Sequence, residues 1–251
     1  MTWSRRELLS LFAAAAGSSA CGIVSPKSSN GNARLSARPG TPAGSVAPGL
    51  TRLGTGDVHD GYLYVPAGYH ATTPAPLVLA LHGAGGNVTG PLNLLEPYAE
   101  SKTFLIVAVN SSDSTWDGIM GSYGPDVAII DTALKRAFAQ CHVDPARVVL
   151  EGFSDGASYA LGLGLANGDL FQRIVAFSPG FLHESDSGRH GKPEIFDSHG
   201  RQDQVLPIDN ASRPIVAALR ADGYTVDFRE FDGGHEVPPD IAAAAVDWLL
   251  R

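Results

Sequence analysis

The sequence predicts an α/β architecture, a mostly parallel β-sheet with helices on both faces, and three observations predict it. Short runs rich in β-branched and aromatic residues alternate with helical patterns, the order that builds parallel sheets through crossover helices. Several of those runs are continuously apolar, as strands covered on both faces must be. No internal repeat breaks the alternation.

Taken in order, strands are expected at Asp60–Val65, Leu77–Leu81, Phe104–Val109, Arg147–Glu151, Arg173–Phe177, Glu194–Ser198 and Thr225–Phe231. Helices are expected at Pro91–Ser101, Pro125–Gln140, Ser154–Asn167, Asp209–Asp222 and Pro239–Leu250, with Asp209 as a helix N-cap. In the second of these, Val127, Ile130, Leu134 and Phe138 trace one apolar stripe. The stretch Ser178–Pro193 is too short to hold an inserted helical lid.

The first 21 residues read as an export signal, 22–47 as a flexible linker and 48–251 as one catalytic domain. Arg5 and Arg6 supply the charge, Leu8–Ala16 a short apolar run, and Gly17–Ala20 small residues suited to a peptidase. That run is too short to span a bilayer. The Arg5-Arg6 pair followed by Leu8 and Leu9 resembles a twin-arginine signal, and Ser18-Ser19-Ala20-Cys21 resembles a lipobox. Lipidation at Cys21 and an ordinary cleaved signal therefore stand as alternatives, giving either a cell-envelope lipoprotein or a secreted or periplasmic protein. The linker is dominated by Ser, Gly, Pro, Ala and Asn, a composition that buries too little surface to order itself.

Composition excludes several classes of function. Of the 251 residues 44% are hydrophobic and 18% charged, a balance that folds. The formal net charge of -8 and the absence of a basic cluster beyond the first residues disfavour a nucleic-acid partner. Two cysteines, Cys21 and Cys141, can build neither a disulfide framework nor a cysteine-based zinc site, and Cys141 is expected as a free, buried thiol.

The chemistry centres on Gly152-Phe153-Ser154-Asp155-Gly156, which follows the run Val148–Glu151 and precedes a helical stretch, the strand-turn-helix setting of a nucleophile elbow. Small residues are needed at Gly152 and Gly156 because the turn holds Ser154 in a strained conformation and side chains there would collide across it. A serine hydroxyl is a poor nucleophile at neutral pH, so it needs an imidazole to take its proton and a carboxylate to hold that imidazole in the useful tautomer. Asp203 and His235 each follow a predicted strand, in the chain order Ser, Asp, His. Asp197, expected inside its strand, and Asp209 compete with Asp203, and for His235 the competing reading is a turn histidine bonded to a carbonyl.

Leu81–Gly86 follows another predicted strand, and its glycines let backbone amides approach a ligand; Ala84 and Asp155 are the expected oxyanion donors. His82 is expected to be buried and bonded to loop backbone, and the remaining histidines to lie at the surface. Trp116 is expected to line the acyl or alcohol pocket, with core packing as its alternative. The Asp155 side chain either places a carboxylate near the site or points to solvent.

The motifs LHGAGG, DPARV, GFSDGAS, HGRQDQVLP and GGHEVPP together resemble the phospholipase/carboxylesterase family of lidless α/β-hydrolases, over roughly Pro48 to Arg251. The family is similar to acyl-protein thioesterases and to polyhydroxybutyrate depolymerase or feruloyl esterase-like enzymes. The resemblance implies the α/β-hydrolase fold and hydrolysis of short-chain, aromatic or polymer-derived esters through an acyl-enzyme, without metal or organic cofactor. It does not transfer a substrate. Two positions depart from the family pattern, Ala157 where a second glycine is common and Asp197 where an apolar residue is. Thioesterase or peptidase activity on the same three residues, and a noncatalytic surface-anchored binding protein on the same scaffold, are the alternatives.

Overall fold

The structure, a computed structural model, describes residues 30–44, 46–55 and 60–251. The export signal, the twin-arginine pair and Cys21 lie outside the described residues.

Eight strands form one sheet in the order β1-β2-β4-β3-β5-β6-β7-β8. They are β1 (Gly49–Arg52), β2 (Tyr62–Val65), β3 (Ala75–Leu81), β4 (Leu105–Val109), β5 (Val143–Phe153), β6 (Arg173–Phe177), β7 (Glu194–Gly200) and β8 (Val226–Phe231). β1 and β2 pair antiparallel at one edge, and from β4 to β8 every pairing is parallel. The sequence reading misses β1, a four-residue edge strand whose residues are mostly exposed and carry no apolar pattern.

Alternation along the strands sends two sets of side chains to two cores. Leu77, Leu79, Leu81, Val107, Leu150 and Ile174 face one side. There they meet α3 (Pro125–Gln140), α4 (Asp155–Ala166) and α5 (Ser212–Ala221). Val78, Ile106, Val149, Val175 and Phe196 face the other, under α1 (Thr89–Lys102) and α6 (Pro239–Leu249). The stripe Val127, Ile130, Leu134 and Phe138 of α3 is buried as its spacing predicts. Cys141, at the end of α3, is a free, buried thiol, and burial pushes its pKa up to about 12.

Two expectations are corrected here. The 22–47 linker is not a spacer throughout: Ala33, Leu35 and Ala37 are buried in the core under α3 and α4. Asn167 clasps this strap, accepting from the Leu35 amide at 2.8 Å and donating to the Ala33 carbonyl at 2.7 Å, while Asp131 accepts the Ser36 and Ala37 amides, both at 2.7 Å. Arg34 and Arg38 both reach Asp169, at 2.7 and 2.6 Å. The strap lacks large apolar mass, but its small residues alternate at the period of an extended chain, and side-chain acceptors replace the sheet partner it does not have. Second, Asp209 does not cap α5. It lies in a 3₁₀ turn, Ile208–Asn210, and pairs with Arg213 at 2.6 Å, while Ala211 precedes the helix.

Residues 178–193 carry no helix, so no lid domain is inserted between β6 and β7. A one-turn helix absent from the sequence reading, α2 (Asp117–Met120), follows Trp116; four residues are too few for a periodic signal.

Candidate active site

The carboxyl ends of β5, β7 and β8 bring Ser154, Asp203 and His235 together from positions far apart in the chain. Ser154 sits between β5 and α4 with φ 59° and ψ −120°, a left-handed conformation that a serine adopts only under constraint. Two glycines supply the constraint. A Cβ on Gly152 would strike the Gly156 carbonyl, and one on Gly156 would come within 2.5 Å of the Leu81 and His82 carbonyl oxygens. The elbow is thus wedged against the end of β3, and the serine Oγ is presented at the sheet's edge.

His235 Nε2 lies 2.8 Å from Ser154 Oγ, and its Nδ1 lies 2.6 Å from Asp203 Oδ2. Asp203 is held on every side. Its Oδ1 accepts the amides of Val205 and Leu206, at 2.8 and 2.9 Å, and its Oδ2 also lies 3.2 Å from His199 Nε2. Burial pushes the Asp203 carboxyl up, but the hydrogen bonds from His199, His235 and the Leu206 amide outweigh it and hold the group well below the usual carboxylate range. An ionised acceptor facing Nδ1 fixes the imidazole with Nδ1 protonated and leaves Nε2 free to accept from Ser154.

His199 corrects the expectation that the histidines other than His82 and His235 lie at the surface. It is fully buried on β7, with Nδ1 2.7 Å from Ser212 Oγ and Nε2 2.7 Å from the Leu206 carbonyl. Position on a strand was the available signal: two residues beyond Asp197, it shares that residue's face of β7 and turns toward α5. Asp197 lies within β7 as expected, entirely buried, and burial pushes its carboxyl up to about 7. Asp197 and Asp209 make no bond to His235, which leaves Asp203 as its partner among the three aspartates.

The Gly83–Gly86 turn closes the other side of Ser154. The amide of Gly85 donates to Ser114 O at 2.6 Å and that of Gly86 to Gly83 O at 3.0 Å. Among the described residues the amides of Ala84 and Asp155 donate to no backbone carbonyl. His82 anchors the turn as expected: it is buried, Nδ1 lies 2.7 Å from Gly83 O, and Nε2 accepts the Ser111 amide at 3.1 Å. Burial holds its pKa below the ordinary imidazole value, so it serves as a neutral strut.

Against this fold and this geometry, residues 104–249 match the family model described as Phospholipase/Carboxylesterase. The chain belongs to the phospholipase/carboxylesterase family. It is an enzyme of the carboxylic ester hydrolase kind. A probable feruloyl esterase C of Aspergillus oryzae is 30% identical over 209 residues, which is 70% of this chain and 76% of that protein. Feruloyl esterase C of Emericella nidulans is 27% identical over 210 residues, with the same shares of the two chains. Among solved structures, esterase PE8 superposes with a TM-score of 0.61 at 24% identity, covering 75% of this chain and 96% of its own, a likeness of fold.

In this esterase Trp116 takes the core-packing alternative and not the pocket-lining place expected for it. It is fully buried, donates from Nε1 to the His82 carbonyl at 2.9 Å and packs its ring against His82 and Tyr159, with centroids 4.9 and 5.2 Å away. An indole with its N–H satisfied inside the protein supports the Gly83–Gly86 turn from behind. The Asp155 side chain likewise turns inward, accepting from Thr115 Oγ1 at 2.7 Å, and tethers the first turn of α4 to the loop after β4.

Proposed function

We propose that the protein is a serine carboxylesterase acting through an acyl-enzyme. Ser154 Oγ attacks the ester carbonyl carbon while His235 Nε2 takes the hydroxyl proton, and the carbonyl oxygen, now negative, is received by the amides of Ala84 and Asp155. Collapse of the tetrahedral intermediate breaks the bond to the alcohol oxygen, which leaves with the proton from Nε2. Water deprotonated by His235 then attacks the acyl-serine, and the acid is released. Asp203 keeps Nδ1 protonated and stabilises the imidazolium in both steps.

The observation that carries this reading is the relay Asp203 Oδ2–His235 Nδ1, 2.6 Å, and His235 Nε2–Ser154 Oγ, 2.8 Å. The uncovered strand ends favour short-chain, aromatic or polymer-derived esters over long acyl chains that need enclosure. The likeness to two feruloyl esterase C proteins adds weight to aromatic acyl groups.

The test is hydrolysis of p-nitrophenyl acetate, butyrate and palmitate by the full chain beside Ser154→Ala. The short esters are expected to be turned over, the palmitate poorly, and the variant to lose at least about 10,000-fold. Absence of short-ester hydrolysis together with absence of fluorophosphonate labelling at Ser154 would point to a noncatalytic binding protein. Thioesters and peptide anilides assayed in parallel separate the two other uses of the same residues.

The reading includes export by the twin-arginine route with a lipid anchor on Cys21, supported by Arg5-Arg6 and by the residues before Cys21. Mass spectrometry of the mature N-terminus checks it: a diacylglyceryl mass on Cys21 is expected, and an unmodified terminus would overturn the anchor.

A further inference from the structure

The chemistry above leaves one buried group beside the site without a task. Glu151 lies on β5 three residues before Ser154 and shares a face with Val149 and Phe153, directed toward α1 and α6. Its neighbours across the sheet are Ala80 and Val175, so it sits in a row of otherwise apolar side chains. It is 1% exposed, and its Oε2 has no hydrogen-bond partner among the described residues. Every rule of strand burial would place an aliphatic residue here, since an unpartnered buried carboxyl opposes folding. Burial pushes its pKa up to about 8, so at neutral pH the group keeps its proton and can both donate and accept a hydrogen bond.

The exposed sliver of Glu151 opens into a cleft of about 570 Å³. Leu94, Phe153 and Val237 give the cleft apolar walls, Gly83 and Ala84 of the oxyanion turn form one end, and His235 forms another. In the reaction proposed above, His235 returns its proton to the leaving oxygen, so the part of the ester lying against His235 is its alcohol.

We propose that this cleft receives the alcohol portion of the substrate, and that Glu151 on its floor hydrogen-bonds a second hydroxyl carried by that alcohol, as in an ester of a glycol, polyol or sugar. Glu151 is then the specificity-determining residue of the leaving-group side, and the substrate supplies the partner that the protein does not. The inference rests on the serine esterase reading and adds the class of alcohol to it.

The experiment compares butyl butyrate with 4-hydroxybutyl butyrate by pH-stat titration, using the full chain as wild type, Glu151→Gln and Glu151→Leu. The wild type is expected to favour the hydroxylated ester by at least about tenfold in kcat/KM. Glu151→Leu is expected to bring the ratio to about one or below it, mainly through the KM of the hydroxylated ester, and Glu151→Gln, which keeps a donor and an acceptor, to retain most of the preference. Fluorophosphonate labelling of Ser154 reports whether each variant has kept its site, and Glu151→Met, unbranched and of similar length but without a hydrogen-bonding head group, carries the comparison if the leucine variant fails to fold. A wild-type ratio near one, or a ratio that Glu151→Leu leaves unmoved, overturns the proposal. So does a preference that tracks a hydroxyl on the acyl side, read from p-nitrophenyl 3-hydroxybutyrate against p-nitrophenyl butyrate. Failure of the wild type to hydrolyse any ester sinks the esterase reading itself, a result distinct from equal ratios.

Discussion

Replacing Asp203 with Asn is expected to lower kcat/KM on p-nitrophenyl butyrate by about 10,000-fold with Ser154 and His235 both in place. The size of the effect follows from how the carboxylate is held. The Val205 and Leu206 amides both donate to Oδ1, so an asparagine must turn its carbonyl oxygen to them and its NH₂ to His235. An N–H donor facing Nδ1 drives the imidazole proton to Nε2, where it points at Ser154 Oγ and no base remains. His199 Nε2 lies 3.2 Å from Oδ2, the atom the substitution turns into NH₂, so the variant also loses the carboxylate charge facing that ring. Steady-state kinetics on the purified variant checks this, and a loss of less than tenfold would remove Asp203 from the role given to it.

Gly156→Ala is the second large effect, and it falls on the backbone. The added methyl would stand 2.5 Å from the carbonyl oxygens of Leu81 and His82, atoms fixed by the parallel pairing of β3 with β5 and by the indole of Trp116. No rotamer relieves a backbone clash, so α4 must move away from β3, and the Asp155 and Ala84 amides move apart with it. A loss of about 4 kcal/mol or more is expected, and for a domain of this size that is a fall of roughly 8–16 °C in Tm. Esterase activity should fall even at temperatures where the variant is folded. Gly90→Ala, at a position where a Cβ meets nothing within 4 Å, is the control and should move Tm by little. Equal melting of the two variants would show that the elbow is not wedged as described.

The parts of the site that were legible in the sequence are those where one residue type must stand at one place in a strand-turn-helix order. Ser154 between two glycines, and Asp203 and His235 after successive strands, are fixed by chemistry and by the order of the sheet. The parts that were not legible depend on distant packing. Trp116 follows β4 in a loop, and nothing local tells whether its ring turns outward to substrate or inward to the His82 carbonyl. His199 was legible only as the alternate partner of Asp197 on its strand, and a strand's two faces become buried or exposed only when helices are laid on them. The strap's composition hides its order, which lies in its period: Ala33, Leu35 and Ala37 repeat every second residue, and the acceptors that hold them, Asp131 and Asn167, lie far along the chain. The same alternation could have marked Glu151, which occupies the apolar face of β5 between Val149 and Phe153.

The strap also couples parts of the chain that no strand joins. It is fastened through side chains, Asn167, Asp131 and Asp169 in turn, and not through the ladder of an edge strand. At its start the Tyr123 amide donates to the Asn30 carbonyl at 3.0 Å, and the Asn30 side chain donates to the Glu184 carbonyl. A substitution at Asn167 or Asp131 therefore loosens a stretch 94 or more residues away in sequence while leaving every rung of the β-sheet in place.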